Sequence, residues 1–169
     1  MTSSSLLAGV YVLPFEEIYD RIPITSLTEL ERQEIALEYQ RWSFTFGLDV
    51  RVLFAQALLE TNGFKFGNLV SATQHNPCGL GATGPENPGA TFKTWELGVI
   101  AHCAHLALYT FPNHVCAECS RNYDPRHTTH SIFQEEHGRS LVLSDLDGKW
   151  AVPGIGYGQH IADVWNRGV

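Results

Sequence analysis

The sequence predicts a mainly helical α+β domain: a helical lobe around a buried central helix, with a small irregular or β lobe beside it. Three observations carry this expectation. Apolar residues recur at helical spacing over much of the chain. One run, VRVLFAQALLE (50–60), is apolar on nearly every side, as a helix at the centre of a domain must be. Glycine, proline and asparagine concentrate between residues 63 and about 93, where short apolar pieces alternate with turn signals. The 169 residues match the size of one domain and contain no repeat or linker, so 1–169 is expected to fold as one unit. A composition of 44% hydrophobic against 17% charged residues excludes a disordered chain.

The elements follow in order. Residues 1–24 read as an irregular lead-in carrying Pro14 and Pro23. Ser26 and Thr28 each precede a glutamate by three residues (Glu29, Glu31), the spacing of a capping box. Ile35, Tyr39, Trp42 and Phe46 then mark the inner face of an amphipathic helix ending near Gly47. Asp49 caps the next helix, and Asn62-Gly63, which tolerate left-handed backbone, end it. Loops and a small hairpin are expected to follow. Thr94 caps a third helix with a core face of Leu97, Ile100, Ala101, Ala104 and Leu108, while His102, His105 and Tyr109 line another face; it stops before Pro112. A short helical piece at about 131–136 and a last helix holding Ile161, Val164 and Trp165 complete the chain.

Charge and hydropathy narrow the partners. A formal charge of −7 offers no attraction for nucleic acid or anionic membranes. No run approaches the about 18 apolar residues of a membrane span. The N-terminal apolar patch lacks a preceding basic region and is followed by Glu16 and Glu17, so a cleaved signal peptide is not expected.

Among the chemistry-bearing residues, Glu60 stands out. It ends the apolar helix, where burial and the negative end of the helix dipole both disfavour its ionised form. A raised carboxyl pKa is what a general acid working near neutral pH requires. GLGATG (79–84) fits the dinucleotide-loop pattern, but Asn76-Pro77 before it and the Pro85–Pro88 turn after it supply neither the strand nor the helix such a site needs, so it reads as a loop. Cys103, Cys116 and Cys119 have spacing suited to a structural zinc, with Cys78, His102, His105 or His114 as a fourth ligand. Disulfides and reduced thiols fit the same cysteines, and the three states stay open at this level.

Several segments also resemble, in order, those of the endo-β-N-acetylglucosaminidases of glycoside hydrolase family seventy-three. QALLETNGFKFG (56–67) resembles the end of the catalytic helix, and NPCGLGATG (76–84) the loop entering the substrate cleft. FKTWELGVIAHCAHLALY (92–109) is similar to the following helix, and YDPR (123–126) and DGKWAVPGIGYGQHI (147–161) to the closing segments. The resemblance covers about residues 27–167 and implies a lysozyme-like fold that cleaves peptidoglycan after N-acetylglucosamine, without a catalytic cofactor. It implies Glu60 as the general acid. The second group would be a carboxylate of the small lobe, for which Glu86 is the candidate, or the substrate's own acetamido group. Asn76, Trp150 and Tyr157 are the implied substrate contacts. Peptidoglycan glycan strands are then the partner, and an extracellular, cell-wall or phage-associated protein, monomeric or within a larger assembly, is expected. A muramidase, or a glycan-binding or virion structural module without catalysis, are the alternatives.

Overall fold

The structure is a computed structural model that describes residues 1–24, 27–67, 69–111, 122–126 and 138–168. Five helices are described: α1 (Phe15–Tyr19), α2 (Glu29–Phe46), α3 (Val50–Glu60), α4 (Trp95–Thr110) and α5 (Tyr157–Arg167). A two-stranded antiparallel hairpin, β1 (Ala82–Gly84) and β2 (Asn87–Pro88), pairs Ala82 with Pro88 and Gly84 with Asn87. The chain is thus mainly helical with a small β element, as expected.

The helix starts are written locally. Thr28 closes a full capping box: its hydroxyl accepts from the Glu31 amide at 3.2 Å, and the Glu31 carboxylate accepts from the Thr28 amide at 2.7 Å. Asp49 accepts from the Arg51 amide at 2.9 Å and so caps α3, and Thr94 accepts from Leu97 to start α4. Gly47 ends α2 in the left-handed conformation. Asn62 and Gly63 take positive φ directly after α3, which turns the chain sharply away from Glu60.

Packing departs from expectation in two places. The lead-in is woven into the core: Leu7, Leu13, Ile18 and Ile22 are buried, α1 forms within it, and Leu7 exchanges backbone hydrogen bonds with Leu141 and Asp49. Leu7 thereby ties the lead-in to Asp49, the N-cap of α3, and α1 packs against α2. In α4 the expected two-faced pattern gives way to burial all round from Gly98 to Thr110, with Leu97 turned to solvent. On one of these sides Gly98 lets the 75–77 loop press against the helix: a Cβ there would lie 1.8 Å from the His75 carbonyl oxygen. α2 packs against α4 and α3 against α5, and one continuous core runs from Leu7 to Trp165. A small satellite cluster of Cys78, Leu80 and Ala101, joined by Phe92 and Trp150, sits under the irregular lobe.

No helix among the described residues is long and apolar enough to cross a membrane. Ser26, the expected helical piece at 131–136, and His114, Cys116 and Cys119 lie outside the described residues.

Candidate active site around Glu60

Glu60 is the last residue of α3, and its side chain lies where two cavities meet. One, of about 140 Å³, is lined by Cys78, residues 79–82, His105, Arg126, Trp150 and Ala151. The other, of about 250 Å³, is lined by Thr61, Phe66, Leu69, Val70, Gly79 and Ala82. Gly79, Ala82 and Glu60 border both, so the carboxyl group stands at the waist of a groove with a more polar half and a more apolar half.

Two elements hold the carboxyl. The Tyr157 hydroxyl, from the first turn of α5, donates to Glu60 Oε1 at 2.5 Å. Tyr157 owes its place to Asp147, whose carboxylate accepts from the amides of Gly156 and Gly158 at 2.9 and 2.7 Å and so caps α5 from outside the helix. Gly158 lets α5 dock here, since a Cβ would fall 2.3 Å from the Leu143 carbonyl oxygen. Burial raises the Glu60 pKa above the ordinary carboxyl value, and hydrogen bonds from Tyr157 and the Trp150 indole partly offset that rise. Burial and then the nearby Glu60 charge push the Cys78 thiol well above its usual range, which leaves it protonated and unsuited to nucleophilic attack.

The other expected site residues fall in different positions. Trp150 lines the smaller cavity while its ring packs on His105, His102 and Tyr109 at centroid distances of 4.9, 5.7 and 5.8 Å. It belongs at once to the cavity wall and the core. Tyr157, expected to contact substrate, instead lies buried behind Glu60, where its hydroxyl joins the carboxyl and Gln56. Asn76 is also relocated: it is fully buried, its amide nitrogen donates to the Leu80 and Ala90 carbonyls at 3.0 Å each, and its oxygen accepts from the Leu80 amide at 2.9 Å. Those bonds consume the side chain, so it shapes the loop wall and lines neither cavity. Glu86 is exposed in the turn between β1 and β2 and likewise lines neither cavity. Among the described residues, Glu60 is the one carboxylate bordering either cavity.

His105, on α4, faces the smaller cavity with its Nδ1 2.7 Å from Asp124 Oδ2, and Asp124 also accepts from the Arg126 amide at 2.8 Å. This buried pair was not foreseen, because the histidine and its carboxylate are nineteen positions apart on different elements. Cys78 and Cys103 are free and buried. Among the described residues no three His, Cys, Asp or Glu side chains form a group able to hold a metal ion. The Cys103, Cys116, Cys119 set is represented there by Cys103 alone, fully buried within α4.

No protein-family model matches the chain, and no solved structure matches it. An uncharacterized protein of Borreliella burgdorferi is 33% identical over 117 residues, which cover 69% of this chain and 53% of that protein. The chain therefore spans about half the length of this relative, and the likeness carries with it no activity, substrate or partner.

Proposed function

We propose that the protein is a peptidoglycan hydrolase that cleaves the β-1,4 bond after N-acetylglucosamine, with Glu60 as general acid and glycan strands as substrate. The observation that carries this reading is the position of Glu60, a carboxyl group with a raised pKa at the waist of a two-sided groove. An endo-acting glycosidase needs sugars on both sides of its acid, and the acid must hold a proton near neutral pH. The resemblance of 56–67 and 147–161 to glucosaminidase segments supports the same reading from the sequence side.

In this reading Glu60 gives its proton to the leaving glycosidic oxygen as the bond to the anomeric carbon breaks. With Glu86 outside the groove, the nucleophile is the acetamido oxygen of the substrate itself, which closes a ring onto the anomeric carbon. Water then opens that ring and returns a proton to the Glu60 carboxylate. Trp150 and the glycine-rich backbone of 79–82 form the surfaces against which a sugar rests. The groove's contacts are local and the chain is acidic, so binding does not depend on long-range attraction and should respond weakly to salt.

Structural zinc, disulfides and reduced thiols stay the three alternatives for the cysteines, and none of them has a catalytic role in this proposal. Where zinc is the state present, chelation should lower the melting temperature and leave the rate per folded molecule unchanged.

The test is Glu60→Gln with digestion of purified cell walls and mass spectrometry of the fragments. Loss of lysis with an intact fold, and N-acetylglucosamine at the new reducing ends of the wild-type digest, support the proposal. Reducing-end N-acetylmuramic acid would make it a muramidase. Wall binding without new reducing ends would make it a glycan-binding module.

A further inference from the structure

Behind Glu60 the helical lobe contains an unbroken chain of buried polar side chains. Tyr39 on α2 meets His102 Nδ1 on α4 at 2.8 Å; His102 Nε2 meets Gln56 Oε1 on α3 at 2.9 Å. Gln56 Nε2 meets the Tyr157 hydroxyl on α5 at 2.9 Å, and Tyr157 meets Glu60 at 2.5 Å. Tyr39, His102 and Gln56 are 0% exposed, and Tyr157 is 6% exposed. Four helices each contribute one link.

The donors and acceptors allow one consistent direction. The Gln56 oxygen can only accept, so His102 carries its proton on Nε2. A neutral ring then accepts at Nδ1, and the Tyr39 hydroxyl donates there. Burial, reinforced by His105, lowers the His102 pKa to about 3, so the ring holds a single proton. The Gln56 amide nitrogen can only donate, so the Tyr157 oxygen accepts from it and the Tyr157 proton is left for Glu60. Reversing the direction would turn Tyr157 toward the Gln56 oxygen, put the imidazole proton on Nδ1, and leave the Tyr39 hydroxyl proton without an acceptor inside the core.

We propose that Tyr39, His102 and Gln56 are positioning residues that hold Tyr157 as a one-way donor to Glu60 Oε1, so that the transferable proton of Glu60 resides on the other carboxyl oxygen. Each bond in such a series polarises the next, so the hydroxyl that reaches Glu60 is a stronger donor than an isolated tyrosine. The catalytic meaning of this arrangement rests on the proposed role of Glu60; its effect on the carboxyl does not. The other groups around Glu60 are the Trp150 indole, the protonated Cys78 thiol from the loop, and His105 and Arg126, which line the smaller cavity. None of them belongs to the chain from Tyr39.

The test is carboxyl carbon NMR titration of Glu60, assigned by its absence in Glu60→Gln, in the wild type, Tyr157→Phe, Gln56→Leu and Tyr39→Phe, with melting temperatures alongside. Tyr157→Phe should raise the Glu60 pKa by about one unit, the worth of a hydrogen bond to a charged group. Gln56→Leu and Tyr39→Phe should raise it by about a few tenths of a unit, the size of cooperative strengthening. The alkaline limb of kcat/KM should move up by the same amounts. Unchanged titration in folded Tyr39→Phe and Gln56→Leu, whatever their melting temperatures, overturns the proposal and leaves these residues a purely structural role. Should Gln56→Leu not fold, Tyr39→Phe decides, because it keeps the ring and removes one oxygen. The titration needs no turnover, so a wild-type protein without lytic activity would overturn the proposed function and leave this result standing.

Discussion

The two walls that meet at Glu60 are built in opposite ways. On the helical side the polar groups are side chains, Gln56, His102, Tyr39 and Tyr157, donated by four helices and shielded from water. On the loop side the wall is the glycine-rich 79–82 stretch with Leu69 and Val70, and Asn76 is buried, bonded to the Leu80 and Ala90 backbone so that it ties the loop to itself. Buried side-chain networks act on protonation, because each partner favours one charge state. Stitched backbone acts on shape, because it fixes where a ligand's surface can rest. Under the proposed function the helices would set acid strength and the loop substrate fit, and variants in the two walls should separate these roles.

The largest effect is expected at the junction itself. Glu60→Gln keeps the side chain's shape and removes its proton, so under the proposed function lysis should fall by about a thousandfold, the range of general acid catalysis. Its stability should move the other way. A carboxyl whose folded pKa is raised contributes stability below its unfolded pKa and loses it as pH rises through the folded value. Once pH rises through the folded pKa the wild type carries a buried charge that the glutamine lacks, and in that range thermal unfolding of Glu60→Gln should occur at or above the wild-type temperature. By the same titration, wild-type kcat/KM should fall as pH rises through the raised Glu60 pKa.

Next in size is damage to the loop wall. Asn76→Ala takes the partner of the Leu80 amide and one of the donors to each of the Leu80 and Ala90 carbonyls, which keep bonds from the Ala90 amide and Gln74, a loss of about 2 kcal/mol. Gly98→Ala attacks the same wall from beneath by driving a methyl group into the His75 carbonyl, at a cost of about 2 kcal/mol or more. Both should raise KM and lower the unfolding free energy in denaturant titrations, yet leave the alkaline limb of the pH profile in place. A shift of that limb in Asn76→Ala would erase the division between the walls.

How far each wall could be read from the sequence follows from how local its bonds are. Thr28, Asp49 and Thr94 cap helices through partners two or three residues away, and their elements begin as expected. Glu60 was legible for the same reason, since its neighbours in sequence create its apolar setting. Tyr157 meets Gln56 and Glu60 across 101 and 97 positions, so nothing in its local sequence distinguishes a sugar contact from a carboxyl partner. A signal did exist: Gln56 interrupts an otherwise apolar buried run, and a buried amide must find partners. Asn76 carried no such cue, because an asparagine among glycines serves a loop or a ligand with the same amide.

A gradual effect, small per pH unit, separates the walls by acidity. His102 is buried neutral, with a pKa lowered from 6.5 to about 3, whereas the unfolded chain takes up its proton near 6.5. Between those values the unfolded state binds more protons, so stability should fall with decreasing pH by up to about 1.4 kcal/mol per unit. His102→Phe should flatten that part of the melting temperature profile below pH 6.5. Asn76→Ala should lower the whole profile and keep its slope.

The smallest effect supplies the control for all of these. Thr28→Ala breaks the capping box of α2, the helix that carries Tyr39, and should cost about 1 kcal/mol. It touches neither cavity and no link of the buried chain. If the helical wall acts on Glu60 through its hydrogen bonds, a loss of this size spread over the fold leaves the Glu60 titration and the alkaline limb at their wild-type positions. If loosening α2 by its cap alone moves the limb, then general stability of the helical lobe, and not the direction of its buried bonds, governs the acid. Measuring Thr28→Ala beside Tyr39→Phe thus compares the same helix weakened at its end and at its polar contact, and the two variants should differ in pH profile even where their melting temperatures agree.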